Sequence, residues 1–455
     1  MILSTEIPEV FAAQVIFWLL LPIVLLAAPR WAILAWLIMG NLDCTGPDST
    51  ASASVGLINA AKAILLPAFL LWRLRGAPSE LGTTVPARLW LALTAYAAIA
   101  ALWTPFPLAA LKLVGNMVGI LLALLVLEKA AKKAILNSTT FLILIFSSLI
   151  LGIAQTYYYG GVIYGFDGME QASRFSSFIA AQQYAAFLVA FLAVVLWHGD
   201  FKPVTRLSMG LVLSVALLLN GSRVWFFGAI LVLTVYCWVC LRQVLVIVSF
   251  GAAASALLLI LCLNFSATEE LPFPGNSSRI LATVTALATG TDTPQRVGLR
   301  DLNFRFGIYQ GVLDELRAAD LRETLFGHGT SSGGMAALRT FPAMYKMDSI
   351  DPNRTIHNEW LRALYEWGSI GLVLLTAVFA ALLVSLIRLY RQRKWMLGAC
   401  MVLSFLPAFL GAFSTENVLA GAGNAVTMSL AMMIALLWAP AGSALRAKGG
   451  RIGRA

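Results

Sequence analysis

Charge is scarce in this chain. Only 12% of its 455 residues are Asp, Glu, Lys or Arg, while 60% are hydrophobic. A soluble domain is nearer a quarter charged. A water-soluble surface cannot be built from so few charges at this size, which excludes soluble Rossmann and TIM-barrel enzymes. Histidine is rarer still: His198, His328 and His357 are the three in the chain, and so scattered they make no zinc site. Five cysteines are present, and four of them (Cys237, Cys240, Cys262, Cys400) lie in apolar runs. Cys237-x-x-Cys240 has redox spacing, but a thiolate is disfavoured in hydrocarbon and the pair reads as packing. No disulfide framework is implied. The N-terminal stretch has no basic region and carries Glu6 and Glu9, so the first apolar run reads as a retained span, not a cleaved leader. No G-x-S-x-G nucleophile elbow occurs, and the glycine-rich FGHGTSSGG at 326–334 lacks the GK[ST] ending of a P-loop.

What the chain has is long apolar runs. Crossing the hydrocarbon core takes about 20 residues of helix. Spans are expected at 10–28, 31–42, 54–72, 88–103, 109–127, 139–158, 178–197, 207–220, 224–241, 244–263, 365–387, 396–413 and 425–439. The fold class is therefore an all-α polytopic membrane protein with 12–13 transmembrane helices. The lower count applies if the short first two, separated by Pro29-Arg30, form a hairpin of half-spans. The net charge is +10, but the placement of the basic residues carries more information than their sum, and no nucleic-acid partner is expected. Arg30, Arg73, Arg75, Arg88, Lys129, Lys132, Lys133, Lys202, Arg206, Arg242, Arg388, Arg391, Arg393 and Lys394 fall on alternate connections. The positive-inside rule makes that side cytoplasmic. Residues 1–263 then carry the first ten spans, 264–360 form a large outward loop, 361–440 hold the C-terminal spans, and 441–455 are a basic cytoplasmic tail. Lys62 and Lys112 fall inside spans, where ionisable groups are costly. They read either as functional or as snorkelling to an interface.

The outward loop is the one soluble-like stretch, with ten basic and eleven acidic residues between 264 and 362. Within it, 301–317 predicts a helix with Leu302, Phe306, Tyr309, Leu313 and Leu316 on one stripe and Asp301 as its N-cap. Arg305 falls at the edge of that stripe.

The short outward connections are almost free of basic residues, yet Arg174 (in ASRFSSF) and Arg223 (in NGSRVWF) lie there. Each serves either as an interfacial anchor or as part of an anion site, because guanidinium presents a planar fork suited to phosphate oxygens. Arg305 is a third candidate. His357 is expected at the start of a helix that runs straight into a span. A helix N-terminus disfavours added positive charge, and a neutral imidazole acts as a general base near neutral pH. The alternative is an interfacial histidine that only hydrogen-bonds. His198 is expected to be solvated.

HNEWLRALYEWGSIGLVLL, NGSRVWFFGAIL, NFRFGIYQGVLDEL followed by LFGHGTSSGG, and ASRFSSFIAAQQYAAFLVAFL together resemble the bacterial O-antigen ligase and polymerase superfamily. The four segments come in the family's order and cover about 80 residues. The resemblance implies a GT-C-like helical bundle in the bacterial inner membrane, with one large helical periplasmic loop facing the chemistry. It implies a metal-independent glycosyltransferase that needs no cofactor. The implied donor is O-antigen glycan on undecaprenyl diphosphate, and the implied acceptor is a sugar hydroxyl of lipid A-core, both presented by membrane lipid. On this reading Arg223, Arg305 and Arg174 hold the donor diphosphate, and His357, Arg305 and Arg223 are the catalytic residues. An O-antigen polymerase, a protein O-oligosaccharyltransferase and, from another class, a lipid or sugar transporter are the alternatives.

Overall fold

The computed structural model describes residues 8–42, 58–74, 85–159, 175–179, 181–198, 201–241, 297–336, 356–391, 396–415, 418–419 and 429–431. Among the described residues the named elements are all helical, with one isolated parallel β-bridge between Leu42 and Phe178. Hydrocarbon offers no partner for a backbone N–H or C=O, so an apolar run there satisfies its own groups as helix. The elements are α1 (Pro8–Leu26), α2 (Pro29–Met39), α3 (Leu66–Arg73, continuing a π turn Ala61–Leu65), α4 (Val85–Ala100), α5 (Pro107–Lys132), α6 (Ser138–Tyr158), α7 (Ala181–Trp197), α8 (Pro203–Asn220) and α9 (Arg223–Tyr236). They continue with α10 (Val297–Ala318), α11 (Leu321–Phe326), α12 (Glu359–Arg391) and α13 (Met396–Thr415). Among the described residues five helices are long and apolar enough to cross a membrane, and shorter apolar helices accompany them. This is the make-up of a multi-pass helical membrane protein. The expected spans at 244–263 and 425–439 lie outside the described residues, apart from 429–431.

Local chemistry sets the helix starts. Pro29, Pro107 and Pro203 open α2, α5 and α8, where the missing N–H costs nothing. Asn137 caps α6 by accepting from the Thr140 amide at 3.0 Å. α2 has only 11 residues, about 16 Å of helix, and packs against α1 as half of a hairpin. α7 is the centre of the bundle. Every side chain from Tyr184 to Trp197 is buried, as expected of a helix that is apolar all round. It packs on α8, α9 and α13.

The two ends of the bundle differ chemically. At one end, basic side chains close helix termini. Arg73 donates to the carbonyls of Val24 (3.0 Å) and Ala27 (2.6 Å), Lys133 to that of Leu74 (3.1 Å), and Arg206 to that of His198 (3.1 Å). These cations meet the negative ends of helix dipoles. His198, expected in solvent, instead sits between Phe141 and Phe201. Lys62 is buried and donates to the Leu42 carbonyl towards the opposite end. That opposite end carries the α8–α9 turn, because Leu42 bridges Phe178 and Asn220 of that turn holds Phe175.

α12 is not straight. Gly368 has φ 64 and ψ −167, a region that only glycine occupies readily. In a continuous helix Trp360 and Phe379, 19 residues apart, would stand about 28 Å from each other. Their rings are 5.4 Å apart. The first part, 359–367, therefore doubles back along the span that begins after Gly368. The expectation that His357 leads straight into a span is corrected accordingly. Gly327 (φ 73) closes the bend from outside: a β-carbon there would lie 2.4 Å from the Glu366 carbonyl, and one on Gly368 would lie 2.3 Å from the Leu325 oxygen.

Candidate functional site

α10 runs from Val297, so Asp301 lies a turn inside the helix and is not its N-cap. Its buried stripe is Ile308 and Val312, which pack with Ala336, Ile356 and Tyr365, flanked by Tyr309 and Leu316. Phe306 and Leu313, expected on that stripe, are exposed. Leu302 is outside the described side chains. The rotation comes from two adjacent apolar faces, of which docking on Tyr365 buries one. It sends Arg305 onto the end of α13, where its Nη1 donates to the Thr415 carbonyl. One turn on, the Tyr309 hydroxyl donates to the His357 carbonyl at 2.8 Å.

His357 stands one residue outside the helix that it was expected to open. Asn358 is the cap: its Oδ1 accepts from the amides of Trp360 (3.1 Å) and Leu361 (3.0 Å). His357 itself has φ 52, a left-handed conformation that costs a non-glycine residue energy and persists only when its surroundings impose it. Here the Asn358 cap and the Tyr309 bond supply that constraint. The imidazole is half-buried. Three residues on, the Trp360 indole donates to Ser414 Oγ at 3.2 Å. The doubled-back segment thus lies against the last turn of α13.

Arg223 opens α9, immediately after a left-handed Gly221 and Ser222. α9 packs closely on α13, where a β-carbon on Gly228 would come within 2.4 Å of Ala408 Cβ and one on Gly411 within 3.5 Å of Val224. The start of α9 therefore flanks the same last turn. Arg174 lies outside the described residues. The segment that follows it is tied to the α8–α9 turn by buried Asn220, whose Nδ2 donates to the carbonyls of Phe175 (2.8 Å) and Ala181 (3.0 Å). Its Oδ1 accepts from the Ser222 amide at 3.2 Å. So Arg305, His357 and the backbone of Arg223 converge around Ser414 and Thr415.

Sequence reasoning missed the ionic core beside them. Glu359, Arg362 and Glu366 share one face of the doubled-back helix and are all buried. Glu366 accepts from Arg362 Nε (2.8 Å), Ser331 N (2.7 Å) and Gly333 N (3.2 Å). Glu359 accepts from Leu419 N at 2.7 Å and faces Arg362 Nη1 at 3.5 Å. The signal was present as charges spaced i, i+3 and i+7 in an otherwise apolar, aromatic helix. His328 is packed too, stacked on Tyr365 with ring centroids 4.3 Å apart. The turn that carries it is bound to α4 and to the short 3₁₀ turn Ala101–Trp103 that follows, because Thr330 donates to the Ala97 carbonyl and Trp103 to the Gly327 carbonyl.

A scan of the sequence against protein-family models gives no match, and a search of the curated proteins gives none either.

Proposed function

We propose that this chain is a membrane glycosyltransferase that moves O-antigen glycan from undecaprenyl diphosphate to a sugar hydroxyl of lipid A-core. The protein would lie in the bacterial inner membrane with this end of the bundle facing the periplasm. The observation that carries the reading is the convergence of Arg305, His357 and the start of α9 on one turn of α13. A lipid diphosphate is an anionic leaving group, and preorganised guanidinium stabilises charge as it develops. The Thr415 bond fixes the plane of the Arg305 fork. The N-terminus of α9, whose Ser222 makes no side-chain capping bond, favours an anion through its amides and dipole. Arg223 stands at that terminus, and Arg174 completes the donor site in this proposal.

In the reaction, the acceptor oxygen forms the new glycosidic bond as the bond from the anomeric carbon to the diphosphate oxygen breaks. The bonding pair leaves on the diphosphate, held by the arginines. His357 takes the hydroxyl proton. The charge is met by guanidinium alone, so the reaction needs no metal ion. Deleting the gene in a host that makes both lipid-linked glycan and lipopolysaccharide tests the reading. Loss of glycan from lipid A-core, with polymerised glycan left on the carrier, is the expected result. A single repeat unit left on core would mean a polymerase, and unchanged lipopolysaccharide would end the proposal.

A further inference from the structure

Among the described residues the ionic core has two carboxylates beside one guanidinium. Glu366 takes the shorter bond from Arg362 and two loop amides besides. Burying the second carboxylate, Glu359, costs several kcal/mol unless its bonds repay it. Its contact with Arg362 is long, at 3.5 Å, and its short bond is to the Leu419 amide, at 2.7 Å. Leu419 is itself clasped from the other side, where Asn116 of α5 donates to its carbonyl at 3.5 Å. Four residues before Leu419 is Thr415, which anchors Arg305, and beside it Ser414, which holds Trp360. The last turn of α13 and the residue Leu419 beyond it are therefore each pinned to the doubled-back helix, by Trp360 and by Glu359, three and two residues from His357.

We infer that Glu359 is a positioning residue. It locks Leu419, just beyond α13, against the helix that follows His357, and so holds the end of α13 and with it the Arg305 guanidinium relative to the imidazole. This rests on the roles proposed above for Arg305 and His357. Nothing about Glu359 requires it to touch substrate. Its oxygen acts as an acceptor and its charge is secondary, so an amide at 359 can still hold Leu419.

The test compares Glu359→Ala, Glu359→Gln and Leu419→Pro in the full-length protein, measured with lipid-linked donor and lipid A-core. Leu419→Pro deletes the N–H and leaves the ionic core intact. Loss of one buried hydrogen bond of this kind corresponds to a change of roughly tenfold to a hundredfold. That loss is expected in the donor KM of Glu359→Ala and Leu419→Pro, with kcat changed much less, while Glu359→Gln stays near wild type. In the Arg305→Lys background Glu359→Ala should add little. Additive effects, or an amide variant as impaired as the alanine, would overturn the inference. An activity-free measurement runs beside it, in which cysteines at 305 and 415 are bridged by a short bis-thiol reagent, long enough to replace the reach of the Arg305 side chain, and the cross-linked peptide is quantified. Efficient cross-linking with Glu359 present and poor cross-linking with alanine there supports the positioning role. Equal cross-linking sinks it. If wild type transfers no glycan while the cross-link still depends on Glu359, the proposed reaction fails and the positioning role stands.

Discussion

Replacing Glu366 by alanine takes three bonds out of a fully buried site. Arg362 loses its 2.8 Å partner, and the amides of Ser331 and Gly333 lose theirs. Removing one member of a buried ion pair typically costs about 3–5 kcal/mol, because the remaining charge is stranded. Each stranded amide adds roughly 1–3 kcal/mol, although the terms overlap and do not sum. Glu359 remains near Arg362 at 3.5 Å and recovers part of the loss. A net cost near 3 kcal/mol is the expected outcome, a large share of the 5–15 kcal/mol that holds a typical protein folded. Unfolding of a membrane protein in detergent is seldom reversible, so the measurement is an apparent midpoint at fixed scan rate. The alanine variant should melt several degrees below wild type. The turn at 327–333 should also become more open to proteolysis around Ser331–Gly333, because the Glu366 carboxylate binds those two amides. Combining Glu366→Ala with Arg362→Ala should cost less than the sum of the two, since either change alone already breaks the Arg362–Glu366 pair. A Glu366→Ala midpoint equal to that of wild type would refute the assignment of this cluster as a structural core.

Three further outcomes are expected. His357→Ala should cut turnover by about 10²–10⁴-fold, the usual contribution of a general base, with binding of the lipid-linked donor retained; near-normal turnover would remove its base role. Arg305→Lys should lose most activity at unchanged net charge, because an ammonium lacks the guanidinium fork, and a fully active lysine variant would reduce Arg305 to a helix anchor. Gly368→Ala should destabilise by at least about 1–3 kcal/mol from backbone strain alone, before its β-carbon meets the Leu325 oxygen at 2.3 Å; a wild-type melting midpoint would mean that the bend is not obligatory.

Much of the bundle was legible because hydropathy decides it. The runs at 88–103, 109–127, 139–158 and 207–220 became α4, α5, α6 and α8 within a few residues. The basic residues that marked one side also proved to have a structural task there, with Arg73, Lys133 and Arg206 closing helix ends. What escaped the sequence depends on contacts between distant segments. From 359 to 391 the pattern reads as one amphipathic-to-apolar helix. Only the contact of Gly368 with Leu325 and Gly327, some 40 residues earlier, shows why the chain turns. The face of α10 was misjudged for a related reason: Phe306 and Leu313 are as apolar as Ile308 and Val312, and periodicity alone cannot say which pair meets Tyr365. Glu359, Arg362 and Glu366 went unremarked, because i, i+3 and i+4 spacings of this kind commonly decorate solvated helices.

The bend is also what makes the candidate site possible. His357 precedes Gly368 by 11 residues. Had α12 continued straight, the histidine would stand about 16 Å beyond the bend, away from α13 and from Arg305. Doubling back returns it alongside the last turn of α13, where Trp360 reaches Ser414 and packs on Phe413 and Phe379. The same reversal takes the Glu359 and Glu366 carboxylates inward with Arg362 beside them, and buried charge of that kind requires partners. Besides Arg362, the carboxylates are met by backbone amides of two loops, 331–333 and 418–419. Holding the loops and folding the helix back are therefore one requirement. A chain that bends at Gly368 must bring in both loops to satisfy its carboxylates, and in doing so it sets His357 and Arg305 at the same end of α13.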